Sequence, residues 1–265
     1  MKKTKTALIT GASSGIGKGL AHVHALQGGD VILVARREER LKELKSQLEK
    51  ADKIKVEIVV KDLSIPGAGL ELHEEVASLG LEVDYLINNA GFGSYGPFDE
   101  ENWQDVENML QVNLINMSSL CHAYIADFRR KGQGRILNVA SSGGFLPGPL
   151  QAVYFASKAY AVSFSQAIAN ELKDSGITVT ALCPGLTDTE FGDVAGVSHT
   201  QSFRIKAASA DAVAKAGYQA MLKGKVLEIP GFLPKLGVNL LFRYFPRSWI
   251  TWASRKAMEP INELK

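Results

Sequence analysis

The sequence predicts a three-layer α/β/α fold around a seven-stranded parallel sheet, on three observations. Short runs rich in Val, Ile and Leu alternate with longer segments of helical period, as in repeated βα units. The runs are almost wholly apolar, which is typical of parallel strands covered by helices on both faces. The chain has 265 residues, of which 46% are hydrophobic, enough for one sizeable core. Because no linker or repeat interrupts the pattern, residues 1–265 are expected to form a single domain.

Seven apolar runs are the predicted strands. They are Ala7–Thr10, Val31–Ala35, Lys55–Val60, Tyr85–Asn88, Arg135–Ala140, Thr178–Cys183 and Val226–Ile229. The segments between them are predicted helices that cross over in the right-handed sense. In Arg36–Lys50, for example, Leu41, Leu44 and Leu48 recur at intervals of three and four in an otherwise charged stretch. One face of this helix should therefore pack on the sheet.

Charge and cysteine content argue against several classes of function. Thirty Lys and Arg against 28 Asp and Glu give a net charge of +2 without charged blocks, so no nucleic-acid partner is expected. Cys121 and Cys183 form no CxxC pair, which predicts neither a disulfide framework nor a zinc site. The N-terminal stretch lacks the apolar region of a secretory signal, and Leu236–Phe242 is too short to span a bilayer. We therefore expect a cytoplasmic protein.

A glycine-rich sequence, TGASSGIG at Thr10–Gly17, follows the first predicted strand and precedes an amphipathic helix. Glycines let the backbone approach a pyrophosphate, and a helix N-terminus offers free N–H groups and positive potential. The loop residues expected to bind a dinucleotide are Gly11, Ser13, Ser14, Gly15, Ile16 and Gly17. The spacing is GxxxGxG rather than GxGxxG, so a glycine-rich turn without a ligand is an alternative.

Residues Gly11–Gly15 also match GxSxG, the nucleophile elbow of α/β-hydrolases. A hydrolase would need an oxyanion-hole loop from an earlier strand, yet only nine residues precede Thr10. It would also need a late histidine, and the last one, His199, lies in a polar stretch. A serine hydrolase is thus an alternative, and the dinucleotide-binding interpretation is preferred.

Two arginines, Arg36 and Arg37, follow the second predicted strand. An acidic residue at this place would accept hydrogen bonds from the ribose hydroxyls of NAD(H). A guanidinium instead binds a phosphate through charge-assisted hydrogen bonds. The pair therefore predicts NADP(H), and the alternative is that both arginines belong to a solvated helix start before Glu38 and Glu39.

Tyr154 and Lys158 lie four residues apart in a helical pattern, so both side chains project from one face. A YxxxK sequence arises often by chance and also suits a solvated helix pair. A functional interpretation of this YxxxK sequence is supported by other polar residues. Asn88–Gly91 and Asn138–Ser141 lie at the ends of the fourth and fifth strands, and Asn113 lies in a long predicted helix. The carboxyl ends of parallel strands meet at the edge where open α/β folds bind ligands.

In order and spacing, these motifs resemble those of the short-chain dehydrogenases/reductases in their shorter, single-domain form. The resemblance covers about Thr6 to Thr189. It rests on TGxxxGIG, the pair Asp62 and Leu63, NNAG at Asn88–Gly91, Asn113, Ser141, the YxxxK sequence, and Pro184 and Gly185 followed by Thr189. It implies a Rossmann fold and an oxidoreductase that transfers a hydride between NADP(H) and a carbonyl/secondary alcohol pair.

The resemblance also implies roles for individual residues. Asn113, Ser141, Tyr154 and Lys158 would be catalytic: Tyr154 exchanges the proton, Ser141 hydrogen-bonds the substrate oxygen, Lys158 supplies positive charge, and Asn113 holds a water. Taken alone, Asn113 is also explained as a polar residue that bends a helix. The cofactor residues implied outside the glycine loop and the arginines are Asp62 and Leu63 at the adenine, Asn89, Ala90 and Gly91 at the adenosine ribose, Leu186, Thr187 and Thr189 at the nicotinamide amide, and Tyr154, Lys158, Pro184 and Gly185.

Two regions are predicted from composition. Residues 190–208 are polar, aromatic and contain glycine, as expected of a substrate lid, although a plain surface loop fits as well. Residues 232–265 are basic and aromatic, which predicts an amphipathic helical extension. This extension could cover an apolar pocket, contact a second subunit, touch a membrane surface or belong to the core. An apolar substrate is expected from four residues near the strand ends, Phe92, Tyr95, Phe145 and Leu146.

Together these observations predict an NADP(H)-dependent oxidoreductase with a small-molecule carbonyl or alcohol substrate. The resemblance further implies a homodimer or homotetramer. The alternative from another class is a non-catalytic NADP(H) sensor with the same fold. An intact set of Ser, Tyr and Lys favours catalysis, because a sensor needs no proton relay.

Overall fold

The computed structural model describes residues 4–204, 206–238 and 244–261. Nine strands are present in these ranges: β1 (Thr6–Thr10), β2 (Asp30–Ala35), β3 (Val56–Val60), β4 (Tyr85–Asn88), β5 (Gly134–Val139), β6 (Ile177–Leu182), β7 (Thr187–Asp188), β8 (Ala208–Ser209) and β9 (Leu227–Glu228). Seven form one parallel sheet in the order β3-β2-β1-β4-β5-β6-β9, and β7 pairs with β8 alone. The seven predicted strands and the Rossmann-like architecture are confirmed.

The helices of the described ranges are α1 (Gly15–Ala25), α2 (Glu38–Asp52), α3 (Ala68–Ser78), α4 (Trp103–Leu110), α5 (Met117–Lys131), α6 (Ala152–Glu171), α7 (Phe191–Val194), α8 (Ala210–Leu222), α9 (Phe232–Leu236) and α10 (Arg247–Met258). A π-helical turn at Gln111–Asn116 joins α4 to α5, so these three segments form one long helix. Short 3₁₀ turns lie at Phe98–Glu100, Ser142–Phe145 and Gln201–Arg204.

Apolar strand residues pack alternately on the two faces of the sheet. On one face, Ile9 and Leu33 belong to the same buried cluster as residues of α1, α2 and α8. On the other, Leu8 and Ile32 share a buried cluster with residues of α3, α5 and α6. This alternation follows from the two-residue period of a strand and produces the three predicted layers.

The helix predicted at Arg36–Lys50 is shifted by two residues. It begins at Glu38 because Arg37 has a non-helical backbone, and it continues to Asp52 before Lys53 adopts a left-handed conformation. Its leucines at 41, 44 and 48 are buried against the sheet, as the periodicity predicts. The shift matters for the site because it leaves Arg37 at the turn between strand and helix.

Three other sequence expectations can be compared with the fold. The predicted extension 232–265 is seen in part, as α9 and α10, and its residues 239–243 and 262–265 lie outside the described residues. Within the part of the chain that the structure describes, no helix has the length and apolar character needed to cross a bilayer. Both cysteines are buried and form no disulfide.

The strand order places a crevice beside β1. Its two neighbours are β2 and β4, so the chain leaves β1 toward opposite sides of the sheet. At such a switch point the connections after the strands diverge and open a crevice at the carboxyl edge. The loops after β1, β4, β5 and β6 all line one cavity at this edge.

Candidate active site

The glycine loop turns β1 directly into α1. Gly11 and Gly15 have φ values of +65° and +52°, which side chains with a Cβ rarely adopt. A Cβ at Gly17 would lie 2.3 Å from the carbonyl oxygen of Gly11, so the turn is closed against its own helix. The loop thus brings the first turn of α1, whose N–H groups have no helical acceptor, to the crevice.

Residues from the end of β4 hold this loop in place. The Thr10 hydroxyl oxygen accepts hydrogen bonds from the N–H groups of Asn89 and Ala90, each at 3.0 Å. The Asn89 side chain donates to the carbonyl oxygens of Thr10 and Gly11 at 3.0 and 3.1 Å. The resemblance implied that Asn89 lies at a ribose, and the structure shows its side-chain amide bound to the loop backbone.

The two arginines that follow β2 have different surroundings. The guanidinium of Arg37 donates to the hydroxyls of Ser13, at 3.0 Å, and Ser14, at 2.9 Å, and binds the Glu190 carboxylate at 2.7 Å. Arg40, which the sequence analysis did not single out, binds the other oxygen of Glu190. Arg36 is more exposed, and its guanidinium lies 3.8 Å from Asp62. Arg37 and Arg40 therefore converge on the Glu190 carboxylate, while Arg36 and Arg37 line the cavity.

The loop after β3 carries the predicted adenine contacts. Asp62 accepts hydrogen bonds from the N–H and hydroxyl of Ser64 at 2.9 and 2.8 Å. The buried side chain of Asn116 fixes the same loop by donating to the carbonyl oxygens of Leu63 and Ile65. Asn116 was missed in the sequence, where its contact with residues about fifty positions away left no local signal.

Three of the predicted catalytic side chains meet where β5 and α6 face each other. Tyr154 and Lys158 are on α6, and the Lys158 ammonium lies 5.7 Å from the centroid of the Tyr154 ring. The ammonium donates a hydrogen bond of 3.0 Å to the carbonyl oxygen of Val139. Ser141 follows β5 and lines the same cavity as Tyr154, and its hydroxyl accepts a hydrogen bond of 3.0 Å from the Gly143 N–H. The arrangement brings one acid, one cation and one hydroxyl to the cavity wall.

Burial controls the proton affinities of these groups. It raises the pKa of Tyr154 to about 12, although the hydrogen bond from Ser141 acts in the opposite direction. Burial also lowers the pKa of Lys158 from 10.5 to about 8, because an ammonium is poorly solvated there. In the protein without ligands, Tyr154 is therefore a neutral proton donor at neutral pH.

Asn113 lies in the π-helical turn between α4 and α5. Its amide donates hydrogen bonds of 3.0 Å to the Phe92 carbonyl oxygen and to the Ser157 hydroxyl. A Cβ added to Gly91 would approach the Asn113 oxygen to 3.0 Å and the Lys158 nitrogen to 3.2 Å. Asn113 and Lys158 therefore flank the same glycine, and Asn113 also fixes the backbone after β4 through Phe92.

The region predicted as a lid, residues 190–208, lies outside the main sheet. Strands β7 and β8 pair at its base through Thr187 with Ala208 and Asp188 with Ser209. Phe191, at the start of α7, packs on the Tyr154 ring with centroids 5.1 Å apart. The residues after β6 that were predicted to bind the cofactor all line the cavity, namely Pro184, Gly185, Leu186, Thr187 and Thr189.

The end of the cavity beside the predicted lid and the C-terminal extension is mostly apolar. Of the four residues expected to indicate this, Phe92 and Leu146 line the cavity. Tyr95 and Phe145 do not: the Tyr95 hydroxyl donates to the Met258 carbonyl oxygen, and Phe145 packs in the core. The other apolar residues at this end come from the lid and the extension and include Phe191, Val194, Val197, Phe203, Pro234, Ala257 and Met258.

The hydrolase alternative lacks a catalytic base. The Ser13 hydroxyl accepts hydrogen bonds from Arg37, and none of the histidines, all of which lie in the described ranges, hydrogen-bonds it. His199 packs edge-on against Tyr95 instead. The described residues also contain no cluster of three or more His, Cys, Asp or Glu side chains that could hold a metal ion.

A parallel sheet with a glycine loop at its switch point defines the class of dinucleotide-binding α/β proteins. Residues 5–197 match the family described as short chain dehydrogenase. An uncharacterized oxidoreductase from Staphylococcus epidermidis is 32% identical over 187 residues, which cover 71% of this chain and 80% of the relative. A 7beta-hydroxysteroid dehydrogenase from Collinsella aerofaciens is 30% identical over 69% of this chain and 68% of its own length.

Solved structures agree with this assignment. A short-chain dehydrogenase from Sphingobium yanoikuyae in complex with NADPH has a TM-score of 0.81 and 29% identity, covering 98% of both chains. A bulky-bulky ketone specific alcohol dehydrogenase from Comamonas testosteroni has a TM-score of 0.78 and 27% identity, covering 100% of this chain and 97% of the other. The chain belongs to the short-chain dehydrogenase family, and it is an oxidoreductase.

The residues present fit a nicotinamide dinucleotide. The crevice is continuous from the glycine loop to Tyr154, with a cavity volume of about 1030 Å³. One end offers the free N–H groups of α1 and two guanidiniums, which suit phosphates. The Glu190 carboxylate lies between Arg37 and Arg40, so these side chains already converge on an anion. The other end offers the hydroxyls of Ser141 and Tyr154 to a reacting oxygen.

Proposed function

We propose that this protein is an NADP(H)-dependent dehydrogenase/reductase that interconverts a bulky, apolar ketone and its secondary alcohol. The observation that carries the proposal is the position of Tyr154. Its phenol borders the cavity beside Ser141 and Lys158, in the same crevice that begins at the glycine loop. A proton donor, a hydrogen-bond donor and a cofactor crevice are the parts that carbonyl reduction requires.

The preference for a 2′-phosphate is supported by the end of β2. Arg37 and Arg40 direct their guanidiniums to one anion position there, and Arg36 lies nearby. A guanidinium can donate two parallel hydrogen bonds to a phosphate and none of its groups can accept from a ribose hydroxyl. The relative from Sphingobium yanoikuyae, which spans nearly the whole chain, was solved with NADPH.

A bulky, apolar substrate is supported by the opposite end of the cavity. Phe92, Leu146, Val194, Phe203 and Met258 line it, and they come from the connections after β4 and β5, the lid and α10. Apolar walls favour an apolar ligand, because its burial removes hydrocarbon surface from water. Relatives whose names specify bulky-bulky ketones and hydroxysteroids agree in substrate class.

In this mechanism the Ser141 hydroxyl donates a hydrogen bond to the substrate oxygen and orients the carbonyl carbon. The nicotinamide, when bound, supplies the hydride for reduction or accepts it in oxidation. Tyr154 donates its phenolic proton to the developing alkoxide, which completes the alcohol. The Lys158 ammonium stabilises the phenolate that remains, because it is buried within reach of the same ring.

Removal of the Tyr154 hydroxyl tests the proposal. With NADPH and a panel of aromatic and polycyclic ketones, Tyr154→Phe should lower kcat by at least about 100-fold, the usual contribution of a positioned acid. NADPH affinity, measured by calorimetry, should change less than about threefold. Tyr160→Phe is the matched control, because Tyr160 lies on the exposed side of the same helix.

Two outcomes would contradict the proposal. Equal turnover by Tyr154→Phe and the parent protein would remove Tyr154 from the reaction. Tight NADPH binding without turnover of any ketone or alcohol in the panel would instead support the sensor alternative.

A further inference from the structure

The C-terminal segment 229–258 differs in charge from the rest of the chain. It contains five basic residues and no Asp or Glu, whereas the whole protein has a net charge of only +2. The remainder of the chain is therefore net negative. The basic residues of the segment are Lys235, Arg243, Arg247, Arg255 and Lys256.

The same segment exposes large aromatic side chains. Tyr244 is 73% exposed, Phe245 48%, Trp249 64% and Trp252 65%. The rings of Phe245 and Trp249 are 6.4 Å apart and form one patch. Two of the three tryptophans of the protein thus lie on the surface of a twelve-residue helix. Trp and Tyr with an apolar body and a polar atom are typical of membrane–water interfaces.

Helix α10 has two distinct faces. Trp249, Trp252 and Lys256 recur at intervals of three and four and lie on its outer face. Ile250 and Ser254 are buried on the opposite face, and Ser254 lines the cavity together with Met258. The inner face is therefore already packed, and the outer aromatics contribute nothing to the core.

Helix α9 repeats this arrangement at the same cavity. Phe232, which is 78% exposed, and Pro234 both line the cavity, and Leu236 is 36% exposed. Helices α9 and α10 thus form part of the cavity wall and also expose apolar or aromatic side chains.

We propose that the outer surface of this segment, formed by Tyr244, Phe245, Trp249 and Trp252 with the neighbouring cations, docks on an anionic phospholipid bilayer. The aromatic rings would enter the headgroup region, and the cations would bind lipid phosphates. Helix α10 would lie parallel to the membrane surface. The docking does not depend on the proposed reaction, but it would place the apolar end of the cavity where apolar ketones concentrate.

A second copy of the chain fits this surface less well. A twofold contact would bring the segment against itself, because such interfaces use the same patch on both subunits. The described cations of the segment, of which Lys256 is paired with Glu259 at 2.9 Å, would then face their own copies, and like charges oppose association. An anionic bilayer has the complementary charge.

Vesicle sedimentation tests the docking with the full-length protein. It should bind vesicles of phosphatidylcholine and phosphatidylglycerol at 7:3, bind pure phosphatidylcholine at least tenfold more weakly, and dissociate as salt screens the charges. Trp249→Ser/Trp252→Ser should weaken binding at least tenfold. Trp103→Ser, which alters a tryptophan of 60% exposure on α4, should bind as the parent does.

Tryptophan fluorescence locates the contact without relying on binding strength. Brominated lipid in the vesicles should strongly quench the tryptophan fluorescence of Trp103→Phe, which keeps Trp249 and Trp252. The same vesicles should not quench the fluorescence of Trp249→Phe/Trp252→Phe, which keeps only Trp103. Circular dichroism and melting temperature confirm that each variant is folded.

Three results would overturn the docking proposal. They are no binding to the anionic vesicles, equal quenching of the two fluorescence variants, and a smaller particle for Trp249→Ser/Trp252→Ser in light scattering. The smaller particle would show that the aromatic surface of the C-terminal segment forms a contact between two copies of the protein. Failure of ketone reduction would leave the vesicle results unchanged, so the two proposals fail separately.

Discussion

Glu190 lies between Arg37 and Arg40, at the position that we propose for a cofactor phosphate. Hydrogen bonds from both guanidiniums, with their positive charge, lower the pKa of Glu190, so it is ionised at neutral pH. A 2′-phosphate must displace this carboxylate or share the arginines with it. Since Glu190 begins the predicted lid, the same ion pairs also join the lid to α2.

Removing the charge of Glu190 should therefore strengthen NADPH binding. Half-exposed ion pairs contribute up to about 1 kcal/mol each, so Glu190→Gln is expected to lower the Kd for NADPH by about two- to tenfold. NADH, which lacks the 2′-phosphate, should be affected less. Calorimetry with both nucleotides measures this, with Glu38→Gln, at the start of α2 beside Arg37, as the control. Weaker NADPH binding by Glu190→Gln would show that the carboxylate aids the cofactor.

Lys158 is the buried cation of the site, and its pKa of about 8 lies below the 10.5 of an exposed lysine. The unfolded chain therefore binds more protons than the folded one between these two values, and stability rises with pH across that window. Below about pH 8 the folded state carries the full penalty of the buried charge. Above about pH 10.5 the penalty disappears.

Lys158→Met should consequently stabilise the protein at pH 7. At about 1.4 kcal/mol per pKa unit, relief of the buried charge is worth up to about 3 kcal/mol, less the hydrogen bond lost at Val139. The melting temperature should rise by several degrees at pH 7, and the gain should shrink toward pH 10. Scanning fluorimetry across this range is the measurement, and the exposed Lys215→Met is the control. A gain that did not depend on pH would contradict the electrostatic explanation.

At the scale of elements, the glycine loop and the first turn of α1 act as one unit. Gly17 packs on Gly11, and Asn89 binds the loop from β4. The long helix has a similar local irregularity, the π-helical turn at Gln111–Asn116. This turn places Asn113 beside Gly91 and lets Asn116 bind the loop after β3. In both cases an irregular backbone orients polar side chains that join the elements around the crevice.

Gly17→Ala tests the loop unit. Alanine is normally the better helix former, but here its Cβ would lie 2.3 Å from the Gly11 oxygen, and overpacking of this kind costs about 1–3 kcal/mol. The variant should lose stability in urea and bind NADPH at least tenfold more weakly. Lys18→Ala, at the next and exposed position of α1, should do neither. Normal NADPH binding by Gly17→Ala would mean that the closed turn is unnecessary.

At the scale of the whole molecule, the cavity is assembled from distant parts of the chain. The sheet edge supplies the glycine loop and Ser141, α6 supplies Tyr154, and the lid and α10 supply the apolar walls. Tyr95 connects these walls, because its hydroxyl binds Met258 and its ring contacts His199 in the lid. The shape of the proposed substrate site is thus decided far from the proposed catalytic side chains.

Met258→Trp should narrow the cavity and change substrate preference. A larger side chain on α10 should lower kcat/KM at least tenfold for polycyclic ketones and much less for small ketones, because only the bulky ligands reach that wall. Steady-state assays with a size-graded series give the comparison, and the small ketones serve as the internal control. An equal loss for all sizes would indicate a general disturbance of the fold.

Much of the site could be predicted because its signals are local. The positive φ of Gly11 and Gly15, the four-residue spacing of Tyr154 and Lys158, and the apolar strands all follow from short stretches of sequence. Arg40, Asn116 and Glu190 could not be found in this way. Each of them binds a partner that lies roughly fifty or more positions away in the sequence. The position of Arg40 also depends on the start of α2 at Glu38 rather than at the predicted Arg36.

The sequence by itself determined the parallel sheet, the crevice at its carboxyl edge and the family, because period, glycine spacing and strand ends are properties of contiguous residues. Only the tertiary structure decided which arginines converge, that Asn89 braces the loop with its side chain, and which aromatic residues of the C-terminal segment face outward. Those features depend on how separate elements pack. Burial and charge neighbours exist only once the chain has folded, and these set the pKa of Tyr154 and Lys158.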